Sequence, residues 1–345
     1  MIRCWTYGTI LVVFGAAVTP QSTVAAFDLD AVLAEQYPES TGPFMGDWEG
    51  QWSPEEDKDP FLGAQIIGRG GDTYEIHLVP APYHRCEPYA VVTTKVQDGK
   101  LTFKSGRYSG TVTPESFTGS RTVDGKSKAA TFTLKKVVHQ SPTMGLAPPE
   151  GAVVLFDGTN LDAFNIDPAG PWGIRDGNLL SIAEKGKQLV SKQTFTDVSA
   201  HVEFCLPYLP TKTGQERGNG GVFFQGEFEV QVLDSYGLPG HFRECGALYK
   251  VSAPKVNMCY PPNVWQTYDI DYTAPRFDES GNQTALARIT VRHNGKLIHT
   301  DEEIPFLPTN SYKDRIKPHP KGPGHFEIQA HGNHVKYRNI WILEK

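Results

Sequence analysis

The sequence predicts an all-β protein of two domains, a two-sheet jelly roll preceded by a small antiparallel β-barrel or sandwich. Three observations lead there. The chain of 345 residues exceeds the size at which one hydrophobic core usually keeps growing. Gly 34, Pro 26 and 11% aromatic residues make a turn-dense composition that suits sheets better than a helical bundle. Short runs alternate apolar and polar residues with period two along most of the chain, the mark of strands with one buried face. The net charge of −6 and the absence of a long Lys/Arg run argue against non-specific binding to nucleic acid or an anionic membrane. Neutral or polar ligands fit this surface better.

The N-terminus reads as a secretory signal over 1–26. Arg3 supplies the positive region, 9–18 an apolar run too short to span a bilayer, and Val24-Ala25-Ala26 a small-residue cleavage site. A secreted or periplasmic protein is therefore expected, with no membrane association after cleavage. Cys4 leaves with the signal, and Cys86, Cys205, Cys245 and Cys259 remain. Four cysteines allow three full pairings. Cys245 with Cys259 is the first choice because they are nearest in one loop-rich stretch, with Cys86 and Cys205 as free thiols.

The leader 27–45 places Leu29, Val32 and Leu33 at helical spacing before Pro38, which predicts a short helix or an ordered tail with no chemistry of its own. From Gly46 the pattern changes to about eight short segments over 46–137, punctuated by Asp-Gly, Ser-Gly and Pro-Glu turns. Such a meander is expected to close on itself, because closure removes exposed strand edges. Trp48 and Trp52, with Arg85-Cys86-Glu87-Pro88, either line a ligand mouth or plug the interior, and plugging suits their size better. The Pro-rich stretch 138–151 cannot join a ladder and marks an extended linker. The remainder, 152–345, holds around a dozen further alternating runs, enough for a two-sheet jelly roll.

The centre of the second domain is the run Phe223-Phe224-Gln225-Gly226-Glu227-Phe228-Glu229-Val230-Gln231-Val232-Leu233-Asp234, where branched and aromatic residues alternate with Glu and Gln. Around it stand Leu155-Phe156-Asp157-Gly158-Thr159-Asn160-Leu161, Asn219-Gly220-Gly221, Cys245-Gly246-Ala247-Leu248-Tyr249, Trp265-Gln266-Thr267-Tyr268, His331-Gly332 and Tyr337-Arg338-Asn339-Ile340-Trp341. In this order they resemble the 3-keto-disaccharide hydrolase domain family across the whole second domain. The resemblance implies a concanavalin A-like lectin/glucanase jelly roll and cleavage of 3-keto-glycosides outside the cytoplasm. Two departures stand out: Asn219-Gly220-Gly221 replaces an expected Asn-Ser-Gly, and Gln329-Ala330-His331-Gly332 replaces Gln-Asp-His-Gly.

Glycosidases commonly set two carboxyl groups about the scissile bond. Glu229 and Gln231 share one face of a regular strand, and one bulged residue would bring Asp234 to the same face. With a neutral Gln231 between the acids, a second route suits the residues better. A ketone acidifies the neighbouring C–H, so a base can remove that proton and the glycosidic oxygen can leave by elimination. Glu229 or His331 is the expected base and Asp234 the acid or orienting group. Asn219, Gln231, Gln266, Gln329 and Arg338 are the expected substrate-binding residues. Against this stands the plainer reading: solvated Glu and Gln on an outer face, Asp234 as a turn residue, and a lectin-like or protein-interaction module without turnover. His331 and His334 lack a neighbouring Cys or carboxylate, so neither a metal nor any other cofactor is assigned.

Overall fold

The computed structural model describes residues 28–53, 60–81, 87–122, 130–166, 172–181, 188–307 and 319–345. The segment 1–26, read above as a secretory signal, and the Arg85-Cys86 pair lie outside these residues. Among them the one α-helix is α1 (Leu29–Gln36), capped by Asp28, whose Oδ1 accepts from Ala31 N at 3.1 Å. The helix buries none of its own residues. What fixes it is the next residue, Tyr37, whose hydroxyl lies 2.6 Å from the His334 carbonyl and 3.0 Å from that of Cys205.

The first domain comprises β1 (Gly46–Ser53), β2 (Phe61–Gly68), β3 (Thr73–Val79), β4 (Ala90–Lys95), β5 (Leu101–Ser105), β6 (Tyr108–Val112), β7 (Phe117–Arg121) and β8 (Ala130–Val137). Each strand pairs antiparallel with its chain neighbour, except β4 with β5, and β1 pairs with β8, placing Trp52 opposite Phe132. Between β4 and β5 the sheet splays, held by the Gln97–Lys100 bridge and by Thr94 Oγ1 donating to Thr102 O at 2.7 Å. The result is a nearly closed barrel. Trp48 and Trp52 sit inside at 0% and 3% exposure, packed edge-on against Phe117 and Phe132. They fill the barrel.

The second domain follows with β9 (Val153–Phe156), β10 (Phe164–Asn165), β11 (Trp172–Arg175), β12 (Asn178–Ser181), β13 (Leu189–Phe195), β14 (Val198–Cys205), β15 (Gly220–Phe224) and β16 (Phe228–Val232). It continues with β17 (Trp265–Thr273), β18 (Arg276–Phe277), β19 (Gln283–Ala285), β20 (Ala287–His293), β21 (Lys296–Ile304), β22 (Gly324–Ile328) and β23 (Lys336–Glu344). One sheet has the order β10-β13-β22-β15-β16, the other β11-β12-β23-β14-β17-β20-β21 with β9 beside β23. Crossovers of this kind make the two-sheet jelly roll that the alternation predicts. Val222, Phe224, Phe228, Val230 and Val232 from the smaller sheet meet Val202, Phe204, Tyr268, Ile270 and Tyr272 from the larger. Phe224 and Tyr272 stack with ring centroids 5.0 Å apart.

The stretch 138–151 does not hang between the domains as a free linker. It lies as a strap over the outer face of the larger sheet. Thr143 Oγ1 donates to Asp269 Oδ2 at 2.7 Å, Gly145 N to Glu203 Oε1 at 2.6 Å, and Trp341 Nε1 to Leu146 O at 3.2 Å. The domains also touch directly: Tyr236, just past β16, packs into the barrel's core cluster and donates to Asp47 Oδ1 at 2.9 Å. The expected Cys245–Cys259 disulfide is not formed. Both are buried free thiols, Cys245 Sγ lying 3.2 Å from the Tyr268 hydroxyl and Cys259 Sγ 3.7 Å from Leu233 O. They fill core space as small apolar groups.

Candidate active site on the smaller sheet

The strands β15 and β16 form a hairpin whose turn is set by Gln225 and Gly226, both at positive φ (51° and 66°), as a type I′ turn requires. This fixes the register: Phe223 opposes Glu229 and Gly221 opposes Gln231, and the ladder runs without a bulge. Because the even-numbered neighbours fill the core, Glu229 and Gln231 share the outer face, as the alternation predicts. On the other side of β15, Phe223 opposes Glu327 of β22, and Gln329 N donates to Gly221 O at 2.9 Å. Two rows therefore cross the face, one running Glu327, Phe223, Glu229 and the other Gln329, Gly221, Gln231. The free edge of β16 is covered by the segment 246–249, through Gln231 N to Ala247 O (2.9 Å), Gly246 N to Gln231 O (2.9 Å) and Tyr249 N to Glu229 O (3.1 Å).

Glu229 is 7% exposed and its carboxyl accepts no hydrogen bond among the described residues. Burial pushes its pKa up to about 8, and the positive charge of Lys250 offsets only part of that. The carboxyl leans over Gly221, where a Cβ would stand 2.6 Å from Glu229 Oε1. A larger residue at 221 would therefore displace the acid. Gly220 has its own constraint on the inner face, since a Cβ there would lie 2.4 Å from the Tyr337 hydroxyl. That hydroxyl occupies the space in which the expected serine would stand, which accounts for the first departure from the family pattern.

Gln231 and Asn219 are buried, at 1% and 3% exposure, and both converge on Gln215 of the short 3-10 turn Gly214–Glu216. Gln231 Nε2 and Asn219 Nδ2 approach Gln215 Oε1 at 3.1 and 3.3 Å, while Gln231 Oε1 and Asn219 Oδ1 have no partner among the described residues. Asn333 Oδ1 accepts from Asn219 N at 2.6 Å, which brings the loop 331–333 alongside. Beside this cluster opens a cleft of about 600 Å³ lined by Gln36, Gln215, His331 and Asn333 among others. Five of the expected residues, Asn219, Glu229, Gln231, Gln329 and His331, thus lie on this face or at its rim.

Three expected residues lie elsewhere. Asp234 falls beyond the end of β16; without a bulge it turns toward the barrel, where Met45, Gly68, Arg69 and Tyr208 surround it. Its Oδ1 accepts from Tyr236 N at 3.1 Å, the turn role of an Asp, and burial raises its pKa to about 6. Gln266 points into the core between the sheets, where Oε1 accepts from Tyr260 N and meets His293 Nε2, both at 2.9 Å. Arg338 faces out from the larger sheet, since its neighbour Tyr337 fills the core, and binds Glu203 Oε2 at 2.6 Å beneath the strap. His334 is tied to Ser181 O at 2.8 Å, and among the described residues no group of three His, Cys, Asp or Glu could hold a metal ion.

Two residues of the face went unread. Glu327 is half-buried and its pKa is raised by burial; the alternation His325-Phe326-Glu327-Ile328-Gln329 carried the signal. Gln215 had none, because it sits in an irregular loop and matters only through its contacts.

A solved structure agrees with this architecture. A protein of Parabacteroides distasonis ATCC 8503, provisionally named a glycosyl hydrolase, is 33% identical with a TM-score of 0.51, covering 57% of this chain and 85% of that one. Two others from the same organism, named alike, are 22% and 16% identical with TM-scores of 0.40, covering 56% and 61% of this chain and 99% and 98% of theirs. None of the curated proteins matches the chain. The first of these likenesses supports a carbohydrate-active role. The profile of the 3-keto-alpha-glucoside-1,2-lyase-like domain matches residues 151–343, and the chain belongs to that family.

Proposed function

We propose that the protein is an exported enzyme that cleaves 3-keto-glycosides by elimination. Glu229 takes the proton from C2, beside the ketone; the electron pair forms the enolate and then the C1–C2 double bond as the glycosidic oxygen leaves C1. The leaving oxygen gains a proton, for which His331 at the cleft rim is the assigned donor, and water can add to the product at C1 afterwards. Gln231, Gln329 and Asn219 hold hydroxyls and the enolate oxygen. The observation that carries the reading is the buried carboxyl of Glu229, which has no hydrogen-bond partner among the described residues and shares its face with Gln231. A carboxylate with its pKa raised to about 8 is a stronger base than an exposed one and sits near the operating pH, where general bases work best. The family's described chemistry, a 1,2-lyase of 3-keto-α-glucosides, supports the same step.

The deciding experiment incubates the purified protein with a panel of 3-keto-glucosides, with and without chelator, and measures release of the leaving group. Release is expected, and the chelator arm reads metal dependence. Binding of the same compounds without release above background would sink the enzyme reading in favour of a lectin-like module. Export rests on the signal-like segment 1–26. N-terminal sequencing of the exported protein is expected to begin near residue 27, and an intact Met1 on exported protein would refute processing there.

A further inference from the structure

The family match begins at residue 151, yet the cleft beside Gln231 has a wall that comes from far upstream. We infer that the N-terminal leader completes this cleft, and that Gln36 helps bind the leaving half of the glycoside, an uncharged hydroxyl-bearing group such as a second sugar. The inference deepens the cleavage reading above and rests on it for the word "leaving".

The leader is held for this task by contacts rather than by its own apolar face. Tyr208 N donates to Gln36 O at 2.7 Å, Tyr37 anchors on the carbonyls of His334 and Cys205, and the Lys336 ammonium lies 3.7 Å from the Tyr37 ring centroid. These contacts set the Gln36 side chain into the cleft with Gln215, His331 and Asn333. The barrel braces the segment 208–212, which lends Leu209 and Lys212 to the lining, since at Gly68 and Gly70 a Cβ would meet the Tyr208 hydroxyl and the Thr211 methyl at 2.3 and 2.8 Å.

The chemistry of the lining selects the ligand. Among the described residues Gln36 Oε1 in the lining is buried without a partner, as are Gln231 Oε1 and Asn219 Oδ1 in the cluster beside it. A buried acceptor left unmet is unfavourable, and a modest turn of each amide toward the cleft lets a ligand hydroxyl satisfy it. The charged residues of the lining, Lys212 and Glu216, face each other at 3.9 Å and leave little net field for an ionic ligand. A cleft of about 600 Å³ is large enough for a sugar ring. Its position fits the leaving half, because it adjoins Gln231 through Gln215, on the side of Gln231 away from Glu229 and the hairpin turn.

The test uses the full chain and two substrates, a 3-keto-glucoside with a hexose leaving group and one with a nitrophenyl leaving group. Gln36→Leu is expected to raise KM for the first about three- to tenfold, the effect of one lost hydrogen bond, with kcat held and the second substrate unmoved. Tyr37→Phe, which loosens the anchor, is expected to reproduce that split. A thermal melt of each variant separates misfolding from recognition. Equal KM changes for both substrates, or none, overturn the inference. If the wild type cleaves neither substrate, the cleavage reading fails by itself. Calorimetric binding of an unoxidised glucose disaccharide then reads the cleft: binding weakened by Gln36→Leu sustains it, and binding that is absent or unchanged overturns it.

Discussion

Replacing Glu229 by Gln is expected to lower kcat on a 3-keto-glucoside about 10²- to 10⁴-fold, the usual contribution of a positioned base, while making the protein more stable at alkaline pH. The second half follows from linkage. The folded carboxyl has a pKa of about 8 against 4.5 for a glutamate in the unfolded chain, so between those values the folded state holds a proton that the unfolded state has released. Stability therefore falls as pH rises from about 4.5 to about 8 and is level above that. The full difference is on the order of 5 kcal/mol at 1.36 kcal/mol per unit. A glutamine has the same shape and nothing to ionise, so the variant lacks this slope. Chemical denaturation at pH 5 and pH 9 measures it: the variant and wild type should be alike at the first, and the variant the more stable at the second. The same group predicts that wild-type kcat/KM rises with pH through an inflection near 8. Full activity in the Gln variant would remove Glu229 from the chemistry, whatever the denaturation shows.

Much of this site was legible in the chain. Period-two alternation put Glu229 and Gln231 on one face because strand geometry leaves no other choice once Val230 and Val232 are in the core. The barrel was readable for the same reason, since short runs separated by tight turns can only meander. The position of Asp234 was not, because a bulge is decided by pairing with the partner strand, and the β15–β16 ladder is regular. Gln266 and Arg338 went astray for a related cause. Each carries a polar group suited to a sugar, but the parity of β17 and β23 sends one into the core and the other to the far face. The Pro-rich stretch was read as a spacer from composition, and only the buried acid beneath it shows why it is pinned. Gln36 and Gln215 were beyond reach of any local pattern, since their roles come from residues about 180 positions apart meeting in space.

That buried acid supports the largest expected loss of stability. Glu203 is wholly buried under the strap and collects Arg338 Nε at 2.6 Å, Gly145 N at 2.6 Å, Asn339 Nδ2 at 2.9 Å and His201 Nε2 at 3.4 Å. Burial alone would raise its pKa, yet the hydrogen bonds from His201, Asn339, Arg338 and Gly145 overcome it and lower the pKa to about 2. His201, pressed against Trp341 and bonded to Asp269 Oδ1 at 2.6 Å, is shifted the other way: burial works to lower its pKa, and the two carboxylates raise it on balance. Glu203→Ala leaves Arg338 and His201 without their counter-charge and the strap without its central acceptor, so a loss of roughly 3–5 kcal/mol is expected. The sign with pH is opposite to that of Glu229. The stabilisation by Glu203 is complete above about 4.5 and is lost as pH falls toward 2, roughly 3 kcal/mol over that window. The gap between wild type and Glu203→Gln should therefore narrow on acidification, whereas Glu229→Gln separates from wild type on going alkaline. Trp341, which donates to Leu146 O in the strap, reports the event directly: its emission should shift to longer wavelength in the Ala variant as the strap lifts and water reaches the ring. Unchanged emission together with an unchanged denaturation midpoint would mean that the strap is held instead by Ser141 and Thr143 through their bonds to Thr267 and Asp269 of β17, and that the acid beneath it is not the fastening point.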